Sequence, residues 1–238
     1  MRRREFITLL GGPVIAWPLA ARAQRPAMPV IGFLHVGVPG AYPQVEFFRQ
    51  GLKESGYTEG DNVAIEYRWA EDHSDRLAEL ATDLVRRNVS VIAAVSGTNA
   101  ALAAKSATTT IPIVFLTAGD PVSLGLVNRL NRPEANVTGV AFIVEDLGAK
   151  EMGLLHELVP DAKEVGFLVN PDNPNAPQQI GNLQEAARVL GLKCRPIKAK
   201  NANDFAEAFD AVVGLDAMLV GADPQFGTHV DQIVTLAT

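Results

Sequence analysis

Short apolar runs, each closed by a glycine- or hydroxyl-bearing turn and separated from the next by a helix-length segment, constrain this chain more than any other feature. The densest example is SGTNAALAAKSATTTIPIVFLTAGDP, residues 96–121. Ser96-Gly97-Thr98-Asn99 closes the run at 91–95 and opens an alanine-rich helix; Thr117-Ala118-Gly119-Asp120-Pro121 closes the run at 113–116 and turns toward helical sequence again. Continuous apolar runs of this length read as strands buried on both faces. Parallel neighbours cannot be joined by hairpins, so the intervening helices must cross over the sheet. The two strand ends are therefore expected side by side, forming a crevice where helix N-termini point N–H groups at a polar ligand.

The same rhythm runs through the rest of the chain. Residues 30–34, VIGFL, form another buried run that ends in a glycine-rich loop containing Gly37. Residues 42–55 put Val45, Phe48 and Leu52 on one helical face, with Gly56 as the stop, and residues 62–69 alternate as a half-exposed strand. A helix over 75–87 follows through Leu77, Leu80, Leu84 and Val85. Beyond Pro121 the pattern predicts a helix over 122–130, a strand over 137–143 and a helix over 147–158. At 165–170, VGFLVN, the chain begins again in the manner of VIGFLH at 30–35. A helix over 177–190, a strand over 193–198, a helix headed by Asn203, a strand over 218–220 and Gly221-Ala222-Asp223-Pro224 then repeat the order of the first half. The prediction is an α/β fold of two Rossmann-like lobes, residues 24–143 and 144–238, with mainly parallel sheets, helices on both faces and a ligand between facing strand ends.

Composition narrows the function. The formal charge is −6, and because residues 1–23 hold four arginines and one glutamate, the remainder carries 17 basic and 26 acidic side chains, or −9. That excludes a nucleic-acid surface, which needs clustered cations. The single cysteine, Cys194, excludes an internal disulfide and a cysteine-rich metal site. His35, His73, His156 and His229 show no ligand spacing, so neither metal nor cofactor is expected. Ser96 lies in AVSGT, which lacks the first glycine of a nucleophile elbow, and no phosphate loop or dinucleotide fingerprint is present. The chain reads as a non-enzyme, with an exported α/β hydrolase as the alternative.

The N-terminus reads as an export signal. Arg2-Arg3-Arg4 precedes Phe6-Ile7, an apolar stretch over 7–19 and Ala21-Arg22-Ala23, an order that resembles a twin-arginine leader cleaved after Ala23. The other readings are an uncleaved anchor or a chance amphipathic start, but Pro13 and Pro18 interrupt an apolar stretch already short of the ~20 residues a span requires. No lipobox cysteine is present, so a soluble periplasmic product is expected.

Candidate ligand contacts follow from the strand ends. On the first wall these are Gly37, Ser96, Gly97, Thr98, Thr117 and Asp120; on the second, Asn170, Asn175 and Asp223. Ser96 and Thr98 either hold a ligand carboxylate or cap a helix, a role worth about 1 kcal/mol. Asp120 either pairs with an ammonium group or caps the helix after it; Asn170, Asn175 and Asp223 are ligand contacts or turn and cap residues. Tyr42 and Phe142 lie near strand ends, where a ring can stack on a ligand, pack in the core or lie on an outer helix.

Several phrases in order, FFRQGLKESGYTEGDNVAIEYRWA, TTTIPIVFLTAGDPVSLGLV, NRPEANVTGV and LVNPDNPN followed by GADP, resemble the substrate-binding proteins of ABC transporters, in the TrpX-like subgroup. The resemblance covers essentially the whole chain. It implies a type I periplasmic binding-protein fold, in which two lobes joined by crossing strands close on an amino acid, including aromatic ones, or a related small molecule. It also implies a monomer that delivers its ligand to an inner-membrane ABC permease. Members of that family continue past the point corresponding to Thr238, where this chain stops in what reads as a helix just starting, so the second lobe is expected to be incomplete.

Overall fold

The apolar runs pair as two parallel sheets in the computed structural model, which describes residues 28–40, 44–132, 135–142 and 147–237. The expected leader, Tyr42 and the expected lobe boundary lie outside the described residues. The elements are β1 (Val30–His35), α1 (Gln44–Glu54), β2 (Ala64–Trp69), α2 (Leu77–Arg86), β3 (Val91–Ala94), α3 (Thr98–Ala107), β4 (Ile113–Ala118) and β5 (Val137–Phe142). They continue with α4 (Leu147–Leu158), β6 (Glu164–Val169), α5 (Ala176–Val189), β7 (Lys193–Lys198), α6 (Phe205–Asp210), β8 (Ala217–Val220), α7 (Pro224–Thr228) and α8 (Val230–Ala237). The larger sheet has the order β2-β1-β3-β4-β5 and the smaller β7-β6-β8, every pair parallel.

Each sheet reverses direction at its first strand. The chain leaves β1 for β2 through α1 and returns to β3 through α2; it leaves β6 for β7 through α5 and returns to β8 through α6. Alternate residues of β1 therefore serve different layers: Ile31 and Phe33 pack with Val45 of α1, whereas Leu34 packs with Leu77 and Leu84 of α2. In β6, Val165, Phe167 and Val169 pack with Ala176 and Leu183 of α5, and Leu168 packs with Phe205 and Phe209 of α6. The repeat expected from VIGFL and VGFL thus holds in both topology and facing.

The glycine shared by the two phrases has one physical reason. A Cβ on Gly32 would stand 2.9 Å from Leu84 Cδ2, and one on Gly166 would stand 2.8 Å from Leu215 Cδ1. In each lobe the side chains from the second crossover sit directly on the first strand's backbone, and only glycine leaves that space.

Two features depart from expectation. The helix expected over 122–130 is replaced by turns: Asp120 accepts from the Val122 and Ser123 N–H groups, Leu126 N–H donates to Pro121 O at 2.8 Å, and Gly125 at φ 68° ends the coil after one turn. Buried Leu126 and Val127 then anchor the segment, which removes the need for a helical face. The α1 side of the larger sheet is also covered unevenly. Val114, Val140 and Phe142 of β4 and β5 are 42%, 56% and 58% exposed, so Phe142 is not the core residue that one reading allowed.

Candidate functional site

At the point where each sheet reverses, the loops leaving adjacent strands diverge to opposite faces and leave a crevice at the strand ends. Here the two crevices face each other. The loops after β1, β3 and β4 form one wall and those after β6 and β8 form the other, enclosing a cleft of about 460 Å³.

The first wall is built by hydroxyls that lock the strand ends together. Ser96 Oγ accepts from the Val36 N–H at 3.0 Å, tying the end of β3 to that of β1. Thr98 Oγ1 and Thr117 Oγ1 share a hydrogen bond that ties β3 to β4. All three residues are buried. Neither Ser96 nor Thr98 caps α3; the N-cap is Gly97, at φ 101°, and among the described residues no side chain caps the helix's first N–H groups. The cap reading of Ser96 and Thr98 is thereby corrected: the capping position falls to a glycine of positive φ, where a Cβ would stand 2.9 Å from Pro224 Cγ on the opposite wall.

The second wall is a carboxamide cage around one carboxylate. Asp223 Oδ2 accepts from Asn170 Nδ2 at 3.1 Å and Asn173 Nδ2 at 2.9 Å, and its Oδ1 accepts from the Gln225 N–H at 2.9 Å, capping α7. Burial pushes the Asp223 carboxyl above its ordinary value, against the pull of these bonds. Asn175 reaches across the cleft, its Nδ2 donating to Thr98 Oγ1 at 3.0 Å, while its buried Oδ1 has no hydrogen-bond partner among the described residues. A Cβ on Gly119 would stand 2.7 Å from that Oδ1, so Gly119 keeps the lobes in contact.

Of the residues expected to form the site, Ser96, Gly97, Thr98, Thr117, Asn175 and Asp223 line one cleft. Three stand apart. Gly37 donates its N–H to His35 Nδ1 at 3.0 Å and accepts from the Glu71 N–H, so it braces the wall from behind. Asp120 turns its carboxylate to its own loop, and Asn170 supports Asp223 rather than lining the cleft.

The sequence offers His35 only as a metal ligand and Leu116 only as part of a strand, and it places Asn173 and Pro224 in the second wall, 170–175 and 223–224, without marking them as contacts; all four line the cleft. His35 is 3% exposed, and burial pushes its pKa down to about 4, so the ring is neutral near pH 7. Because Nδ1 accepts from Gly37, the proton sits on Nε2. His35, Val95 and Leu116 are shared with an adjoining apolar compartment of about 340 Å³, walled by Phe33, Phe47 and Phe48. The described lining of the cleft and compartment thus contains one carboxylate, one neutral imidazole and no lysine or arginine. Among the described residues no cluster of histidine, cysteine and acidic side chains could hold a metal ion, and no helix is long and apolar enough to cross a membrane.

This architecture recurs in known proteins. A tyrosine-binding protein of Clostridioides difficile (strain R20291) is 30% identical over 178 residues, 74% of this chain and 50% of the relative, so the chain spans half the length of that curated relative. The structure of an ABC domain in complex with L-Trp from Streptococcus pneumonia superimposes with a TM-score of 0.75 at 24% identity, covering 88% of this chain and 70% of the other. A ligand-free, open substrate-binding protein with adhesive properties from Clostridium difficile, at 27% identity and the same coverage, superimposes with a TM-score of 0.54. The family described as ABC transporter substrate binding protein matches residues 30–237. With that match running from the first residue of β1 to the last of α8, the chain belongs to the ABC transporter substrate-binding protein family.

Proposed function

We propose that this chain is the solute-binding component of an ABC importer: a soluble periplasmic monomer that captures an amino-acid-like molecule between lobes spanning 24–143 and 144–238 and passes it to a membrane permease. The observation that carries the reading is the distribution of charge in the cleft. A single half-buried carboxylate, Asp223, shares it with the uncapped N-terminus of α3 and, among the described residues, with no cationic side chain. A zwitterion complements this arrangement. Its carboxylate takes the Ser96 and Thr98 hydroxyls and the first N–H groups of α3, where the helix dipole favours an anion. Its ammonium group takes Asp223 and the unpartnered Asn175 Oδ1. Its side chain then lies toward Leu116, Phe142 and the aromatic compartment beyond His35, a space suited to tyrosine or tryptophan, the ligands named for the two relatives above.

The ligand leaves unchanged in this reading. Ser96 Oγ is engaged by the Val36 N–H and His35 Nδ1 by Gly37, so these two side chains are not arranged as a nucleophile and its base. Calorimetry of the full chain against L-tyrosine, L-tryptophan and L-leucine tests the proposal. One-to-one saturable binding with chromatographically intact ligand is expected; absence of binding to all three, or appearance of a product, overturns it. For export, Arg3→Lys with Arg4→Lys is expected to leave the chain in the cytoplasm on cell fractionation.

A further inference from the structure

A second set of contacts joins the two walls beside the cleft, behind Asp223 and Pro224. It centres on Asp72, in the loop after β2. Glu71 and Asp72 both adopt left-handed backbone, at φ 54° and 64°, and are two of the four described non-glycine residues with positive φ. Such strain persists only where the surroundings over-determine it, and it concentrates at functional contacts. The surroundings here are the β1 loop: the Glu71 N–H donates to Gly37 O at 3.1 Å and the Asp72 N–H to Val36 O at 2.8 Å. The result presents both the carbonyl and the carboxylate of Asp72 to the opposite wall. Gln225 Nε2 donates to Asp72 O at 2.7 Å, and His229 Nε2 lies 3.1 Å from Asp72 Oδ2. Gln225 is 2% exposed, and His229 stacks edge-on against Phe205.

We propose that Asp72, Gln225 and His229 form a clasp that sets the balance between open and closed lobes without touching the ligand. Neither Asp72, Gln225 nor His229 lines the cleft, yet all are coupled to it. The helix α7 begins at the cap Asp223 and ends against His229, and the Gln225 N–H is bound by the Asp223 carboxylate. A ligand that draws Asp223 toward the first wall therefore seats Gln225 and His229 on Asp72 in the same movement.

The effect on affinity rests on the proposed ligand reading; the effect on lobe spacing does not. The test uses the full chain with Cys194→Ser and spin labels at Lys53→Cys and Glu207→Cys, both exposed and on opposite lobes. Pulsed electron resonance reads the lobe spacing without ligand. Gln225→Met with His229→Phe keeps volume and removes both donors; the open-to-closed ratio is expected to rise about three- to tenfold, and L-tyrosine affinity to fall by up to the same factor. Asp72→Asn, which tolerates left-handed backbone, is expected to shift the ratio the same way by less. If both variants match the parent's spacing, the clasp is overturned. If spacing shifts as stated but the parent binds none of L-tyrosine, L-tryptophan and L-leucine, the clasp stands and the ligand reading fails.

Discussion

At the scale of single residues, two titratable groups in the cleft have opposite pH signatures. His35 is held neutral, its pKa pushed from 6.5 to about 4 by burial. The unfolded chain takes up this proton below about 6.5 and the folded chain only near 4, so stability is fully present above that window and is lost as pH falls through it. The loss amounts to about 3 kcal/mol, and His35→Gln is expected to remove that slope from urea unfolding at pH 7, 5.5 and 4.5. Asp223 behaves conversely. Its raised pKa means that its contribution to stability is present in acid and lost as pH rises through the folded value, leaving an ionised, half-buried carboxylate that a cationic ligand group would offset. L-tyrosine binding should therefore weaken as pH falls toward the raised Asp223 value, whereas Asp223→Asn should bind about 10- to 100-fold more weakly with a flatter profile. Calorimetry across that range decides it. At this scale the sequence was only partly legible: Asp120 and Asp223 both precede proline after a strand, and only their partners distinguish a loop brace from a cleft residue.

At the scale of elements, legibility was high wherever periodicity and punctuation agreed. Both first strands announce themselves by a glycine inside an apolar run, and the reason is a leucine of the second crossover, Leu84 or Leu215, that occupies the missing Cβ's place. Gly32→Ala is expected to cost about 1–3 kcal/mol, because Leu84 is fully buried and has nowhere to move. Gly166→Ala should cost less, because Leu215 is only half-buried and can swing outward. Thermal unfolding of the two variants checks the ranking, and equal losses would refute it. The segment after Pro121 failed as a helix because a composition that permits helix was overruled by one capped turn, Gly125 and two buried anchors.

At the scale of the whole molecule, the contact between walls is finely balanced. Asn175 to Thr98, Asn99 to Asp172 O, Gln225 to Asp72 O and His229 to Asp72 bridge them, each worth about 0.5–1.5 kcal/mol net. Against these, Asp72 Oδ1, Asn175 Oδ1 and Gln225 Oε1 are buried without partners among the described residues, at about 1–3 kcal/mol each. Gains and costs of similar size leave closure near neutral, so a ligand that supplies even one donor decides it. Asn175→Ala removes one bridge and one unpartnered acceptor together. It is therefore expected to leave the lobe spacing of the ligand-free chain nearly unchanged in small-angle scattering while weakening ligand binding at least tenfold in calorimetry.

The sequence by itself determined the strands, their helical crossovers, the doubled unit and the polar character of the strand ends, because these are written in side-chain spacing over a few residues. The tertiary structure alone decided which polar residues line the cleft and which join the two walls. Those roles depend on partners distant in sequence: Ser96 answers Val36 from 60 positions away, Asn175 answers Thr98 from 77, and His229 answers Asp72 from 157. A hydrogen bond acts only across about 3 Å, and no local pattern records which remote residue the fold will bring that close.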